Sequence, residues 1–451
     1  MHLWFASALL PEGWCDHVRV TVVDGAIAAI DRGVAAGPGD VREGIALPGL
    51  SNLHSHAFQR GMAGLAEQTG QGGDSFWTWR DVMYRFVDRL EPESLHAIAA
   101  LAYVEMLETG FTRVGEFHYL HNDPAGMPYG DRAIMAGAIA EAARETGIAL
   151  TLLPVFYAHS DFGGVPPTEG QRRFITGLDA FARLLDESRA AVAPLAQGRV
   201  GVAPHSLRAV NAEELRQVAE LAAGGPIHIH IAEQTREVES CLAWSGKRPV
   251  QWLFDTADVD RRWCLVHATH VDETELARIA RSGAVVGLCP ITEANLGDGL
   301  FPAAGLIAAN GAFGIGSDSN VLIDPAEEFR LLEYGQRLKR RGRNILATEP
   351  GQSVGASLWR RAFSGAAMAL DGCGGGLAIG APADIMSLKP RHPALIAAKG
   401  DQILDCWIFS GGRGLIDGVW RAGVKQVSDG RHHARDRVEA AYRHAMRTIL
   451  D

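Results

Sequence analysis

The sequence predicts an α/β protein: a (β/α)8 TIM-like barrel with a small β-sandwich domain formed by the N- and C-terminal segments. Three observations carry this expectation. Eight short apolar runs recur between residues 50 and 317. Segments of helical period follow most of them, the rhythm of βα units around a parallel sheet. Strand-and-turn patterning occupies both chain ends. A chain of 451 residues can bury a large core, and eight alternations over this span match a barrel with insertions. A doubly wound open sheet is the competing architecture, but no G-x-G-x-x-G follows an early strand.

The elements follow in order. Residues 18–23 and 26–30 read as strands around the turn Asp24-Gly25, and 45–47 lead into the sharp turn Pro48-Gly49-Leu50. The eight barrel runs are 50–56, 112–117, 148–156, 200–205, 227–232, 264–268, 284–288 and 313–317. Helical patterns cover 93–108, 132–145, 171–189, 213–223, 272–280 and 326–340. Beyond about residue 370, segments 378–382, 383–388, 403–409 and 415–420 read as β, and 437–450 as a closing amphipathic helix. The expected domains are a composite β-rich unit, 1–48 with 371–451, and a barrel, 49–370.

Composition narrows the function. Hydrophobic residues make up 47% and charged residues 21%, which excludes a disordered chain. Net charge is 43 − 53 = −10 without a long Lys/Arg run, so no nucleic-acid partner is expected. No apolar run reaches the ~18 residues of a membrane span, and Met1-His2-Leu3-Trp4-Phe5 lacks the basic start of a signal peptide. The cysteines at 15, 241, 264, 289, 373 and 406 form no C-x-x-C pair, which argues against a thiolate zinc site or a disulfide framework. A cytoplasmic protein without a membrane partner is expected.

The chemistry lies at the strand ends. His54 and His56 are two apart, so a strand points both imidazoles to one face, at the C-terminal end where barrel active sites form. The fifth run carries His228 and His230, followed by Glu233; His230 lies nearer the end and is the candidate third ligand, with His228 packed deeper. His267 ends the sixth run. Asp318 follows the apolar, Gly-bearing eighth run, and an isolated carboxylate there is costly unless paired or bound to metal. Three imidazoles and one carboxylate suit Zn²⁺, with Fe²⁺ and Mn²⁺ as alternatives.

These residues resemble the amidohydrolase superfamily: Leu47-Pro48-Gly49-Leu50 before His54-Ser55-His56, His230-x-x-Glu233, His267 and Ser317-Asp318. The likeness extends over nearly the whole chain, including Ile379-Gly380-Ala381-Pro382-Ala383-Asp384. Within it, the chain resembles the formimidoylglutamate deiminases through 54–60, 75–80, 115–119, 203–208 and 292–299. Two-metal members of the superfamily bridge their ions with a carbamylated lysine on the fourth strand. Residues 200–205 contain no lysine, so one metal ion per chain is expected.

The resemblance implies an enzyme that deiminates N-formimidoyl-L-glutamate to N-formyl-L-glutamate and ammonia in histidine degradation. His54, His56, His230 and Asp318 would hold one divalent ion, Zn²⁺ by preference, and generate hydroxide that attacks the formimidoyl carbon. Asp318 would take the first proton, His267 would stabilise the tetrahedral intermediate and Glu233 would serve as proton carrier. A dicarboxylate amidine calls for guanidinium partners; Arg208 and Arg80 are the candidates, with Gln59, Tyr119 and His205 completing the pocket by resemblance. The aromatic loop 57–85 is either a lid or a packing element. The alternative is a related aminohydrolase acting on a nucleobase or similar heterocycle, and a non-catalytic barrel is the reading of another class. A homodimer is expected.

Overall fold

The computed structural model describes residues 1–68, 75–372 and 375–451. Part of the 57–85 loop, 69–74, and Cys373 lie outside the described residues.

All eight apolar runs become barrel strands: Leu50–Ser55, Phe111–His118, Ala149–Phe156, a fourth split into Arg199–Val200 and Ala203–Pro204, then Ile227–Ile231, Trp263–His267, Val285–Leu288 and Ala312–Ile315. The first four pair in parallel as one run and the last four as another. Bridges from Val202 to Ile227 and from Ser55 to Asp318 join the two runs into a closed cylinder. The third, fifth, sixth and seventh strands are buried at every position, as expected of parallel strands covered by helices.

The helices start where the sequence supplies caps. The Asn211 side chain accepts from the Glu213 and Glu214 amides at 2.9 and 3.0 Å, and Glu214 accepts from the Asn211 amide at 2.8 Å, opening Ala212–Leu221. Asp272 opens Glu273–Ser282 and Asp324 opens Pro325–Arg340 in related ways. Gly147, Gly246 and Gly283 end their helices in the left-handed conformation. The predicted pattern 171–189 is displaced: its helix is Leu178–Val192, preceded by a short 3₁₀ turn, Glu169–Gln171. Residues between the two turn inward and bury Phe174.

Two expectations are corrected. Residues 403–409 are helical, within Gln402–Cys406 and the following turn Trp407–Gly411. Their aromatic and branched side chains suggested a strand, yet the buried Ile403, Leu404, Trp407 and Ile408 recur at helical spacing. The segment docks on the helix Val354–Ala369, where the Gly355 amide donates to Asp405 at 2.8 Å. Residues 378–382 make a turn, with Gly380 at φ 84° and only an isolated bridge from Pro382 to Ala26.

The chain ends share one eight-stranded sheet, in which Val41–Pro48 lies between His2–Leu10 and Ile385–Leu388. Phe5 and Trp420 sit three strands apart in that order, yet their rings meet edge-on at 6.3 Å. Val22 and Gly25 reach the Ala422-Gly423 turn. The sheet is therefore strongly curled around its own apolar cluster of Leu3, Phe5, Val18, Val20, Ile385 and Trp420. The C-terminal helix Arg435–Leu450 packs on the barrel helix Pro92–Glu108.

Candidate active site

The inward-facing residues at the C-terminal strand ends meet on the barrel axis. His54 and His56 alternate on the first strand, so both rings point inward. The His56 Nδ1–H donates to the Phe117 carbonyl at 2.9 Å, and the His230 Nδ1–H to the His205 carbonyl at 3.0 Å. Each ring therefore turns its Nε2 toward the centre. Nε2 of His54 lies 3.2 Å from that of His56 and 3.0 Å from that of His230, and His56 to His230 is 3.4 Å. Asp318 Oδ1 stands 3.4 Å from His54 Nε2 and 3.2 Å from His56 Nε2.

This donor set fits a divalent cation. Donors about 2.0 Å from a shared ion in a tetrahedron are roughly 3.3 Å apart, the separation seen here. Burial holds His54 down at about 3 and His230 well below the usual imidazole range, which keeps both in the neutral, ligating form. Asp318 adopts φ 46°, an uncommon conformation for a residue other than glycine. It is held there by strand closure: its amide donates to the His54 carbonyl and its carbonyl accepts from the His56 amide, both at 2.9 Å.

His267, at φ 68°, stacks on His230 with ring centroids 5.6 Å apart. Its Nδ1–H donates to Glu293 at 3.3 Å, and its Nε2 lies 3.7 Å from Glu233 and 3.8 Å from Asp318. Burial raises the Glu233 carboxyl to about 7. Burial alone would lower His267, but Glu233, Glu293 and Asp318 outweigh it and bring it up to about 10. A carboxyl and an imidazole thus stand beside the ligand cluster, placed to exchange protons. His228 donates from Nε2 to the Ala369 carbonyl at 2.8 Å, away from the cluster, in the deeper position expected.

The pocket above is lined by His56, Gln59, Arg80, Tyr119, His205 and Arg208. Every residue predicted from the sequence to bind substrate faces it. Gln59 donates to the Tyr119 hydroxyl at 3.0 Å and leaves its own carbonyl oxygen without a partner. The His205 ring lies 4.5 Å from that of Tyr157. Arg80 and Arg208 gather beside Trp77, their guanidiniums 4.6 and 5.9 Å from its ring centre, and in both the Nε is buried without a partner. Among the described residues neither makes an ion pair within 4.0 Å. Helix Phe76–Val87 of the 57–85 loop supplies Arg80, Trp79 and Tyr84 to the wall.

Sequence reasoning missed Glu293, Tyr84, Tyr157 and Phe174. Glu293 lies within the 292–299 motif, so its signal was present without its role. The three aromatic residues sit on loops and helices whose approach to the pocket no local pattern encodes.

Side chains able to hold a metal ion, with a buried acid and a histidine beside them, lie at the mouth of a (β/α)8 barrel, the arrangement of a metal-dependent hydrolase site. The chain belongs to the amidohydrolase family, whose sequence model matches residues 45–425. Residues 1–44 match a second model, described as formimidoylglutamate deiminase HutF, N-terminal domain. The chain is 50% identical over 448 residues to formimidoylglutamate deiminase of Pseudomonas aeruginosa, covering 98% of each. It is 30% identical to 8-oxoguanine deaminase of the same organism, over 66% of each chain. Among solved structures, an amidohydrolase from Brucella melitensis superposes with a TM-score of 0.96 at 52% identity and complete coverage of both chains. An adenosine deaminase from Xanthomonas campestris with bound zinc shares the fold, with a TM-score of 0.83 at 22% identity, over 100% of this chain and 98% of that one.

Proposed function

We propose that this protein hydrolyses N-formimidoyl-L-glutamate to N-formyl-L-glutamate and ammonia, a step of L-histidine degradation. The observation that carries the substrate is the pair Arg80 and Arg208. Two guanidiniums without an ion-pair partner among the described residues, Arg208 buried and Arg80 half-buried, line one small pocket, and cations drawn out of water in this way call for an anion. A dicarboxylate supplies two, whereas a neutral heterocycle supplies none. The half-identical relative bears the name of the same activity.

His54, His56, His230 and Asp318 would hold one zinc ion per chain. When bound, it makes water acidic enough to serve as a nucleophile near neutral pH. Asp318 receives the first proton of the attacking water. His267 hydrogen-bonds the oxygen as it adds to the formimidoyl carbon, and Glu293 holds the ring through Nδ1. Glu233 protonates the imine nitrogen, and the proton held by Asp318 passes to the same nitrogen. Glu233 recovers its proton from the added hydroxyl as the carbonyl forms, so that the C–N bond breaks and ammonia departs. Arg208 and Arg80 anchor the two carboxylates, with Gln59, Tyr119 and His205 along the backbone between them. The helix Phe76–Val87 serves as a lid that keeps bulk water from the reacting carbon.

Residues 1–48 with 371–451 make the composite domain, whose curled sheet packs as a small β-sandwich, and 49–370 make the barrel. The enzyme works in the cytoplasm, in keeping with five free cysteines among the described residues; no described helix is long and apolar enough to cross a membrane. It works as a homodimer, in keeping with the exposed Leu338 close in sequence to the stacked Tyr334–Phe409 pair. Ammonia release from N-formimidoyl-L-glutamate by metal-quantified protein, with 8-oxoguanine and S-adenosylhomocysteine alongside, tests the reading. Release from the formimidoyl compound alone is expected; release from a purine instead overturns the substrate.

A further inference from the structure

Behind Glu233 lies a second buried carboxylate that the proposed reaction leaves unused. Glu237 stands in the first turn of helix Thr235–Ser245 and is 1% exposed. Its Oε1 accepts from the Ala232 amide at 3.0 Å and its Oε2 from the Glu233 amide at 3.2 Å. An acid at this position ordinarily interacts with the free N–H groups of its own helix, at the surface. Here both oxygens reach back to the turn joining the His230 strand to the helix. Ala232 in that turn adopts φ 50°, a left-handed conformation that alanine rarely takes. Such a conformation persists when its surroundings over-determine it, and the carboxylate that grips both amides does so.

Glu237 also acts on Arg208, which follows the neighbouring fourth strand. Arg208 is buried and has no ion pair within 4.0 Å among the described residues. Burial works against its charge, and Glu237 leads the groups that outweigh burial, ahead of Tyr157 and Glu233. Its oxygens are engaged by backbone amides, so it supplies charge without occupying the guanidinium fork.

We propose that Glu237 is a positioning residue that couples the substrate anchor to the proton carrier. It fixes the 232–233 turn so that the Glu233 carboxylate faces His267, and it is the buried counter-charge that leaves the Arg208 fork free for a substrate carboxylate. The nature of that carboxylate rests on the proposed function; the hold on the turn does not.

The two roles push turnover and binding in opposite directions. Glu237→Gln keeps the shape but presents an NH2 group to one of the two amides, so the turn loosens and proton transfer suffers. It also removes a negative charge opposing the bound anion, so a dicarboxylate is held at least as tightly. A residue that only supported the fold would weaken both.

The test measures kcat and KM for N-formimidoyl-L-glutamate and the calorimetric Kd for glutarate, an unreactive dicarboxylate, on metal-loaded wild type, E237Q and E237D. The expected result for E237Q is a kcat lower by about tenfold or more, with KM not raised and glutarate bound equally or more tightly. E237D, with its charge retained, is expected to bind glutarate as wild type does at an intermediate kcat, and it carries the test if E237Q does not fold. A kcat within about twofold of wild type, under 1 kcal/mol, overturns the proposal. So does weaker glutarate binding by E237Q at an unchanged Tm. Wild type that releases ammonia only from a purine overturns the proposed function instead, and kcat is then compared on that purine. Amide hydrogen exchange at 232 and 233 reads the turn without any substrate: faster exchange in E237Q is expected, and unchanged exchange overturns the positioning role.

Discussion

The Nε2 atoms of His56 and His230 face one another at 3.4 Å, while each ring donates its Nδ1–H to a backbone carbonyl. With Asp318 beside them these nitrogens form a donor set that a shared cation would satisfy. Removing the metal with a chelator is therefore expected to abolish ammonia release and lower Tm, with one equivalent of Zn²⁺ restoring both. Ligand binding to the folded state alone stabilises it by about 4 kcal/mol at a thousandfold excess over Kd. Metal content against activity, followed during reloading, checks this outcome.

Glu233→Gln removes the proposed proton carrier without touching a proposed metal ligand. The expected kcat loss is about 10²- to 10⁴-fold, the usual range for a positioned acid–base group. Metal content should match wild type. A variant that loses its metal would place Glu233 among the ligands.

Arg208→Ala deletes one proposed carboxylate anchor. A hydrogen bond to a charged group contributes about 1.5–3 kcal/mol, so kcat/KM for the formimidoyl substrate should fall by roughly 10- to 200-fold, mainly through KM. Arg80→Ala should act in the same sense. Steady-state kinetics on both variants, with a mono-carboxylate analogue as control, shows whether each arginine meets a separate carboxylate.

Acid stability follows from buried neutral histidines. Burial lowers His121 and His228 to about 4, each donating to a carbonyl, Val155 and Ala369 respectively. The unfolded chain binds their protons near 6.5, so between 6.5 and 4 it holds more protons than the folded one. Stability is then full above 6.5 and falls as pH drops toward 4, by roughly 3 kcal/mol per histidine. Urea denaturation across this interval checks the slope, and His121→Gln should flatten it.

Gly316 allows the eighth strand to reach the first. A Cβ there would stand 2.7 Å from the His54 carbonyl oxygen and 2.8 Å from its nitrogen. Gly316→Ala is expected to cost about 1–3 kcal/mol, as overpacking does. Because it separates His54 from Asp318, it should weaken metal retention as well. Thermal melts and metal analysis of the variant measure both.

Alternation settled much of this protein in the sequence alone. The eight apolar runs, the inward pairing of His54 with His56, and the preference for His230 over His228 all follow from a period of two and from the position of each residue along its strand. The arginines could be nominated because the family resemblance implies a dicarboxylate substrate, for which guanidinium is the natural partner. Other features lie beyond local pattern. The 403–409 run has strand-forming residues, and its helical spacing of Ile403, Leu404, Trp407 and Ile408 is too short to outweigh them until the segment docks on Val354–Ala369. Glu293 and Glu237 look like ordinary acids at helix starts; barrel closure and burial placed one against His267 and the other beneath Glu233. The left-handed backbone at Asp318 and His267 is likewise imposed by contacts from distant strands. Periodicity encodes which face of an element is buried, but which atoms converge there depends on how the elements close on one another.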